Sequence, residues 1–416
     1  MKKIVCLLLC LCTFVSLFAE INPSRRKVEF GLGVNPGISN NYLLLGDIFK
    51  EEIVFDFNDI SRSMGYKGLR FDINAGIDTF FKINLKKIKL DFFVNVEGGG
   101  FLNFSKSVID FIAKGNKFDE TFIGTAGVGG SVYANIGMGF GTTVRKHIIK
   151  ITPIYFMPVI YIPNTSATVT VVTKSSGAIK AEAEINLAVH SPFSLNDGMN
   201  NFDAASLFGC GGMDITMEAE YPLMSFLDLG IKMTGFPLVP ARLNYVMKQK
   251  ITEKFEVDDS GIIGLATQEP PEGENTTYGE FEVSDFEFSQ NENLKIYRPF
   301  KISFLAAYRP LKSDLLVLKP VVAFKFNDPS SQFTGMFLTK GFDLEFGMKV
   351  ESWLLKMIGL GLNMYREDAV WKQQLMMILD LRVFELDLFV GMESSNFLQS
   401  FAGRGLNVGL FLKFGF

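Results

Sequence analysis

The chain has 416 residues, 48% of them hydrophobic and 13% aromatic, with 42 phenylalanines. That is too apolar for a disordered chain and long enough for one large domain or two ordinary ones. With 41 basic and 45 acidic residues the balance is mildly acidic, which gives no reason to expect a nucleic-acid partner.

Residues 1–19 read as a secretory signal, because Lys2 and Lys3 precede an apolar stretch from Ile4 to Phe18 and Ala19 stands before Glu20. Leu17 occupies a position where signal peptidase prefers a small residue. Lipidation at Cys10 or Cys12 is less favoured, since Leu9 and Leu11 precede them. Cleavage removes Cys6, Cys10 and Cys12 and leaves Cys210 alone, so neither an intrachain disulfide nor a thiolate metal cluster is expected. It also removes Lys2 and Lys3, which takes the formal charge from −4 to −6. The best internal apolar run, Ile151 to Ile162, is short and carries Pro153 and Pro158, so helical membrane spans are not expected.

From Val28 onward the pattern has a period of two, the mark of strands with two unlike faces. Val28, Phe30, Leu32 and Val34 alternate with Lys27, Glu29, Gly31 and Gly33. Leu69 to Asp78 sets Leu69, Phe71, Ile73, Ala75 and Ile77 against Arg70, Asp72, Asn74, Gly76 and Asp78. After Lys86-Lys87 the phase resumes with Ile88, Leu90, Phe92, Val94 and Val96 against Lys89, Asp91, Asn95 and Glu97, which predicts a hairpin. The same two-faced pattern recurs over Ala126–Phe140, Ile179–Leu187, Met213–Tyr221, Leu227–Thr234, Phe300–Tyr308, Phe342–Glu351, Ile358–Met364, Leu375–Leu381 and Leu386–Met392. One pattern over this length predicts one all-β domain across 20–416.

Short connections (Lys86-Lys87, Gly141–Arg145, Pro222–Phe226, Pro310–Asp314, Trp353–Met357, Arg382–Glu385) alternate with long ones (Asn35–Gly68, Gly99–Thr121, Ser191–Gly209, Asn327–Lys340, Ser394–Arg404). Transmembrane barrels place short turns on the periplasmic side and long loops outside. The count is about fourteen strands, or roughly sixteen to eighteen if Ala167–Lys174 and Glu280–Ser289 also span. Ser107-Val108-Ile109-Asp110, followed by Phe111 and Ile112, predicts a short capped helix, as a local cap over the barrel mouth or as a lid or surface anchor. The acid-rich stretch Asp258–Asn293, with Pro270-Pro271, reads as a solvated loop rather than a divalent-ion or host-ligand site.

The final strand carries Leu406, Val408, Leu410, Leu412, Phe414 and Phe416 on one face and Asn407, Gly409, Lys413 and Gly415 on the other, with Phe411 as the exception. It resembles the C-terminal strand of bacterial outer-membrane β-barrel proteins. The resemblance implies that Leu412, Phe414 and Phe416 are read by the barrel-assembly machinery after periplasmic chaperones deliver the chain. The fold expected is therefore a single closed antiparallel transmembrane β-barrel in outer-membrane lipid.

Little points to catalysis or a cofactor. His147 and His190 are far apart, and His190-Ser191 neighbours on a strand point to opposite faces. Gly137-Met138-Gly139-Phe140-Gly141 continues a strand without a following helix, so close packing explains it better than phosphate binding. Asn164-Thr165-Ser166 and Asn275-Thr276-Thr277 match a glycan acceptor, which means little in the bacterial protein that the resemblance implies.

In a barrel the polar phases face the lumen. The candidates are Arg70, Asp72, Asp78, Asp91, Glu97, Glu182, Glu184, Asp214, Glu218, Glu220, Asp343 and Glu345, with Asp228, Glu351, Lys89, Lys180, Lys232 and Lys349 beside them. Two outcomes are open: an acid-rich wall that favours cations, or charges that pair across strands and fill the pore. Phe80-Phe81, Phe92-Phe93, Ile154–Ile162, Leu315–Leu318, Val321–Phe324 and Met376–Leu379 are apolar on both faces, as suits a lumen for hydrophobic solutes or a thicker aromatic girdle. Length, strand count and these segments together are similar to the FadL-like outer-membrane channels for long-chain fatty acids and other hydrophobic compounds. The stretch before Val28 shows no counterpart of that family's N-terminal hatch. Transport or permeation of small solutes is the expected role, hydrophobic ones ahead of ions; the alternative is a surface-exposed structural or adhesive barrel.

Overall fold

The computed structural model describes residues 26–42, 57–63, 68–85, 87–115, 117–175, 179–196, 204–257, 280–283, 287–327, 333–334, 337–338, 341–354, 357–367, 370–394 and 397–416. The signal segment, Pro270-Pro271, Asn275-Thr276-Thr277 and most of the acid-rich stretch lie outside them. In chain order the elements are β1 (Val28–Val34), β2 (Gly37–Asn40), α1 (Phe57–Ser63), β3 (Leu69–Asn84), β4 (Ile88–Phe104), α2 (Lys106–Lys114), β5 (Glu120–Val144), β6 (His147–Thr173), β7 (Ile179–Ser191) and α3 (Ala204–Gly209). They continue with β8 (Gly212–Met224), β9 (Leu227–Val239), β10 (Ala241–Val257), β11 (Glu280–Val283), β12 (Glu287–Ile296), β13 (Phe300–Tyr308), β14 (Val317–Phe326), β15 (Phe333–Thr334) and β16 (Phe337–Leu338). The last are β17 (Asp343–Leu354), β18 (Ile358–Glu367), β19 (Val370–Asp380), β20 (Phe384–Ser394) and β21 (Gly405–Gly415).

The strands form a closed antiparallel barrel of 14 staves. β1 and β2 are two halves of one stave, interrupted at Asn35-Pro36, and the ring then runs β3, β4, β5, β6, β8, β9, β13, β14, β17, β18, β19, β20, β21. Closure is made by β21 against β1, with Phe414 opposite Phe30, Leu412 opposite Leu32 and Leu410 opposite Val34. The amides of Lys27 and Val28 donate to the carbonyl of Phe416 at 2.6 and 3.1 Å, and the amide of Phe416 donates back to Val28 at 3.1 Å. No open edge is left at the seam, which is the condition for a sheet to sit in hydrocarbon. Among the described residues no helix is long and apolar enough to cross a membrane.

Alternation places the apolar phase outward. Phe30, Leu32, Phe92, Val94, Ile149, Ile151, Leu229, Ile231, Leu360, Leu375, Val390 and Leu410 are all exposed on the outer face, a belt that water would not tolerate and a bilayer requires. Rings thicken the belt toward the long-loop rim, where Phe236, Phe300, Phe326, Phe342, Phe324 and Phe304 touch in succession at centroid distances of 5.0 to 6.2 Å. A second chain runs Phe346, Trp371, Phe397, Phe401; it carries the turn at Gln399–Phe401 down onto the outer wall, where Ser400 and Gln373 bond at 3.2 Å.

On the long-loop side the wall outgrows the ring. β5 and β6, 25 and 27 residues long, continue as a pair until Glu120 meets Thr173. The upper part of β6 pairs with β7, β7 with β10, and β10 with β11 and β12, so these four strands stand above the ring rather than within it. The strand expected over Ile179–Leu187 is therefore real but does not span. A period of two marks any two-faced strand, whether its wet face meets a lumen or open solvent.

The predicted helix forms two residues earlier, as Lys106–Lys114, with Ser105 rather than Ser107 at its N-cap. The Ser105 hydroxyl accepts from the amide of Thr125 instead of capping the helix. α2 packs on α1 through Ile60, Ile109 and Leu69, with Tyr42, Phe71 and Phe104 around them. Ser61 donates to the Asp110 carboxylate, and Lys106 Nζ reaches the Ser61 carbonyl at 2.6 Å.

The Ser61 hydroxyl, with Lys114 and Lys106, holds the Asp110 carboxyl below the usual carboxylate range. A depressed carboxylate contributes stability above its ordinary pKa and loses it as pH falls through the folded value. Amide exchange of α2 is thus expected to be slow at neutral pH and to quicken in acid, and Asp110→Asn to abolish that dependence.

Large inward rings lie over glycines on the neighbouring stave: Phe80 over Gly31, Phe411 over Gly33, Phe389 over Gly409 and Phe93 over Gly137. Phe411, the exception in the last strand, is thereby explained as an inward ring seated on Gly33. A Cβ at Gly409 would overlap the Phe389 ring. Gly409→Ala is expected to cost about 1–3 kcal/mol, read as a lower urea midpoint for loss of the compact form on unboiled gels, with Phe389→Leu in the same chain recovering most of it.

Candidate functional site

The interior holds a cavity of about 1060 Å³ that runs from Asn84 and Lys89 near the short-turn rim to Arg70, Asn327 and Asp343 near the other. Asp72, Asp78, Asp91, Glu97, Glu218 and Glu220 also line it. Asp214 and Glu345 point inward from their staves but are buried, at 1% and 3% exposure, beneath Arg298 and Lys301. Glu182 and Glu184 do not join them. They sit exposed on β7 above the ring, where Glu184 pairs with Lys250 at 3.1 Å and, accepting from Asn186, stays below the usual carboxylate range.

The charges of the wall are paired across strands. Asp91 meets Lys150, Glu218 meets Lys232 at 3.0 Å, Glu351 meets Lys319 at 2.8 Å, and Glu345 meets Lys301 at 2.8 Å. Lys301 reaches on to Glu367 at 3.3 Å, Lys372 lies 3.4 Å from Glu367, and Lys413 contacts Glu385 and Asp387 at 2.8 and 2.9 Å. Arg70 grips Asp72 at the long-loop end, and Arg309 grips Asp228 at the short-turn end. Eleven basic and nine acidic side chains line the cavity, so the acid-rich wall is not what the residues build. The bases missing from the sequence pattern are Lys150, Lys325, Lys372 and Arg298, where apolar residues on both faces or a broken ladder hide the alternation, together with Lys301 on the polar phase of β13 and Lys82 beyond the stretch phased on β3.

At the short-turn end Arg26 enters the ring and is 5% exposed. Its guanidinium donates to Glu29 at 3.1 Å, Asp380 at 2.6 Å, Glu385 at 2.6 Å and the carbonyl of Arg382 at 2.7 Å. One cation thus ties the entry of the first stave to the turn between β19 and β20. Nothing in the period-two pattern signals this residue, since it precedes the first alternating strand.

A different surface covers the side nearest the seam. Phe93, Phe80, Phe411 and Phe389 line the cavity from β4, β3, β21 and β20, with Met376 of β19 beside them. Phe80 is directly opposite Phe93, Met376 is directly opposite Phe389, and Phe389 stacks near Phe411 at 6.5 Å. On that face the intervening β1 carries Gly31 and Gly33 beyond Glu29, which lets the rings lie against the wall. The rings therefore form an aromatic patch interleaved with charge: Lys82 Nζ lies over the Phe80 ring at 4.4 Å, and Asp387 and Lys413 stand two residues from Phe389 and Phe411 on the same face.

Of His190 and Ser191, the pair that could suggest a hydrolase, the serine is occupied locally. The Ser191 hydroxyl donates to the carbonyl of Phe193 at 2.7 Å and accepts from its amide at 3.1 Å, a local turn that occupies it. His147 stacks on Tyr221 at 4.7 Å. In the Gly137–Gly141 run, a Cβ at Gly137 would overlap Phe93 and one at Gly139 would come within 2.8 Å of Lys150, so close packing accounts for the glycines.

No protein-family model and no curated protein matches the sequence. Among solved structures, the Pseudomonas putida toluene transporter TodX is similar at 8% identity and a TM-score of 0.46, over 97% of this chain and 93% of that one. A deltaS2S3 mutant of the TodX monoaromatic hydrocarbon channel reaches a TM-score of 0.49 at 8% identity, over 98% and 96%. The Ralstonia pickettii toluene transporter TbuX gives 0.45 at 6% identity, over 94% and 90%.

Removing Arg26 would take the shared cation from Glu29, Asp380 and Glu385, leaving Lys413 on Glu385 and Lys82 at 4.0 Å from Glu29. Arg26→Ala is expected to cost about 3–5 kcal/mol, as for other buried pairs that lose one partner. Urea unfolding followed by gel mobility measures it.

Proposed function

We propose that the chain is an outer-membrane channel for small solutes, with hydrophobic compounds such as long-chain fatty acids favoured over ions. The observation that carries this reading is the aromatic patch of the lumen: Phe80, Phe93, Phe389, Phe411 and Met376 line the cavity from neighbouring staves on both sides of the seam, as an apolar patch between the ion pairs. A solute with apolar surface gains by lying there, at about 25 cal/mol for each Å² removed from water. The near balance of eleven bases and nine acids leaves no strong field to select cations or anions. The signal-like segment 1–19 supports export, and barrel-assembly machinery and periplasmic chaperones are the partners such a route needs. Leu412, Phe414 and Phe416 stand on the outward face of β21, where a folding catalyst can read them. The reading is of a channel and not an enzyme, since the Ser191 hydroxyl is engaged by Phe193.

The sheet built by β7 and β10–β12 above the ring favours the second reading, a surface-exposed structural or adhesive barrel. Planar bilayers separate the two, because a channel gives discrete conductance steps and an adhesive barrel is silent. For the hydrophobic route, labelled palmitate is dialysed against protein held in amphipol. Saturable binding is expected, and replacing both Phe389 and Phe411 by Ser should weaken it at least about tenfold, since losing even part of one ring contact amounts to about 1.4 kcal/mol. Non-saturable uptake, or binding that ignores both substitutions, would count against the proposal.

A further inference from the structure

Between β12 and β13 the ladder breaks at Tyr297, Arg298 and Pro299, and all three residues line the cavity. The neighbouring stave yields at the same point. Gly235 adopts φ +70°, and a Cβ there would overlap the carbonyl of Pro299. The break therefore turns inward against a position that only glycine fills comfortably.

Arg298 then reaches away from its own stave. Its Nε and Nη2 donate to the two oxygens of Asp214 on β8 at 2.7 and 3.1 Å, a bidentate grip. Its Nη1 donates to Glu97 on β4 at 3.0 Å. Between β13 and β4 the ring holds β9, β8, β6 and β5, so this one side chain joins staves five steps apart in a ring of 14. The inner ion pairs described above join staves no more than three apart. Arg298 is thus a bar across the lumen, whereas the others are rungs along the wall.

The two ends of the bar are not alike. Asp214 is 2% exposed, and the guanidinium lies over Phe156 at 5.6 Å, backed by the buried cluster of Tyr133, Phe156, Ala241, Leu243 and Ile296. Glu97 is 31% exposed to the cavity. The root is fixed by burial and a bidentate bond, while the far end is a single bond that water can reach. Freeing that end costs least, because a half-wet carboxylate regains hydration when it lets go.

Resting on the channel reading, we propose that the Arg298–Glu97 bar is the constriction of the pathway and the determinant of which solutes pass, with Glu97 as its release point. With the bond made, a solute must slip beside the bar, past the aromatic patch near the seam. With the bond broken, Arg298 stays docked on Asp214 and the passage widens. The wall's own inward break performs the gating that a separate plug performs in other barrels.

Glu97→Gln and Glu97→Ala release the bar while leaving the buried Arg298–Asp214 pair intact, and boiled against unboiled gel mobility checks the fold. The native protein and both variants are placed in liposomes and tested for swelling in arabinose, sucrose and raffinose, and in planar bilayers for conductance in potassium chloride. Both variants are expected to admit larger sugars than the native protein and to conduct more, with Ala at least equal to Gln. An unchanged size limit and conductance in folded variants would overturn the bar while the channel reading stands. Silence of the native protein and of both variants in every assay would overturn the channel reading and the bar with it.

Discussion

Everything in this molecule follows from the fact that hydrocarbon offers no hydrogen bonds to a peptide group. A sheet can enter it only by closing on itself, and here the closure is made by the first and last strands, in a register fixed by Phe30, Leu32 and Val34 against Phe414, Leu412 and Leu410. Once the ring is shut, alternation sorts side chains without further choice. Outward positions must be apolar, and inward positions meet an enclosed space in which a lone charge is costly.

That enclosed space explains why the wall carries ion pairs rather than a field of one sign. Lys301 between Glu345 and Glu367, Lys413 between Glu385 and Asp387, and Arg26 among three carboxylates each neutralise groups that lie too deep to be hydrated singly. Such pairs add little net stability over apolar side chains of the same shape, but loss of one member is severe. The seam side meets the same constraint differently. Besides its own pair of Lys413 with Asp387, it fills volume with rings laid over glycines, which leaves an apolar patch among the charges.

Much of this was legible in the sequence, because a barrel stave writes its orientation into every second residue. Leu69–Asp78, Ile88–Glu97, Met213–Tyr221, Phe342–Glu351 and the last strand all face as their alternation says, and the short connections are the hairpins they seemed. Where the alternation carries less information, the sequence misleads. β7 has a clean period of two and yet stands outside the ring, since pairing above the membrane satisfies the same rule. Lys319, Lys325 and Lys372 sit in strands whose apolar neighbours blur the phase, so the inner wall looked more acidic than it is. Arg26 and Arg298 lie outside regular strands altogether, and no local pattern can announce a contact made 200 or 350 residues away.

Those two arginines put the same side chain to different uses, Arg26 at the closure of the ring and Arg298 inside the lumen. An inward strand break supplies reach that a residue on a straight stave lacks, because a side chain perpendicular to the sheet spans only part of the radius. Arginine suits the task, since its planar fork can hold one carboxylate with two bonds and still donate to another. Arg298 uses this to keep a buried anchor and an accessible contact at once, with Phe156 and Tyr133 behind it to hold the fork in plane. Arg26 has no such asymmetry: all its partners are buried or nearly so, which makes it a clasp for the closed ring. The same residue type thus serves as fastening at the short-turn end and as barrier toward the long-loop end, and the difference lies in how wet its last carboxylate is.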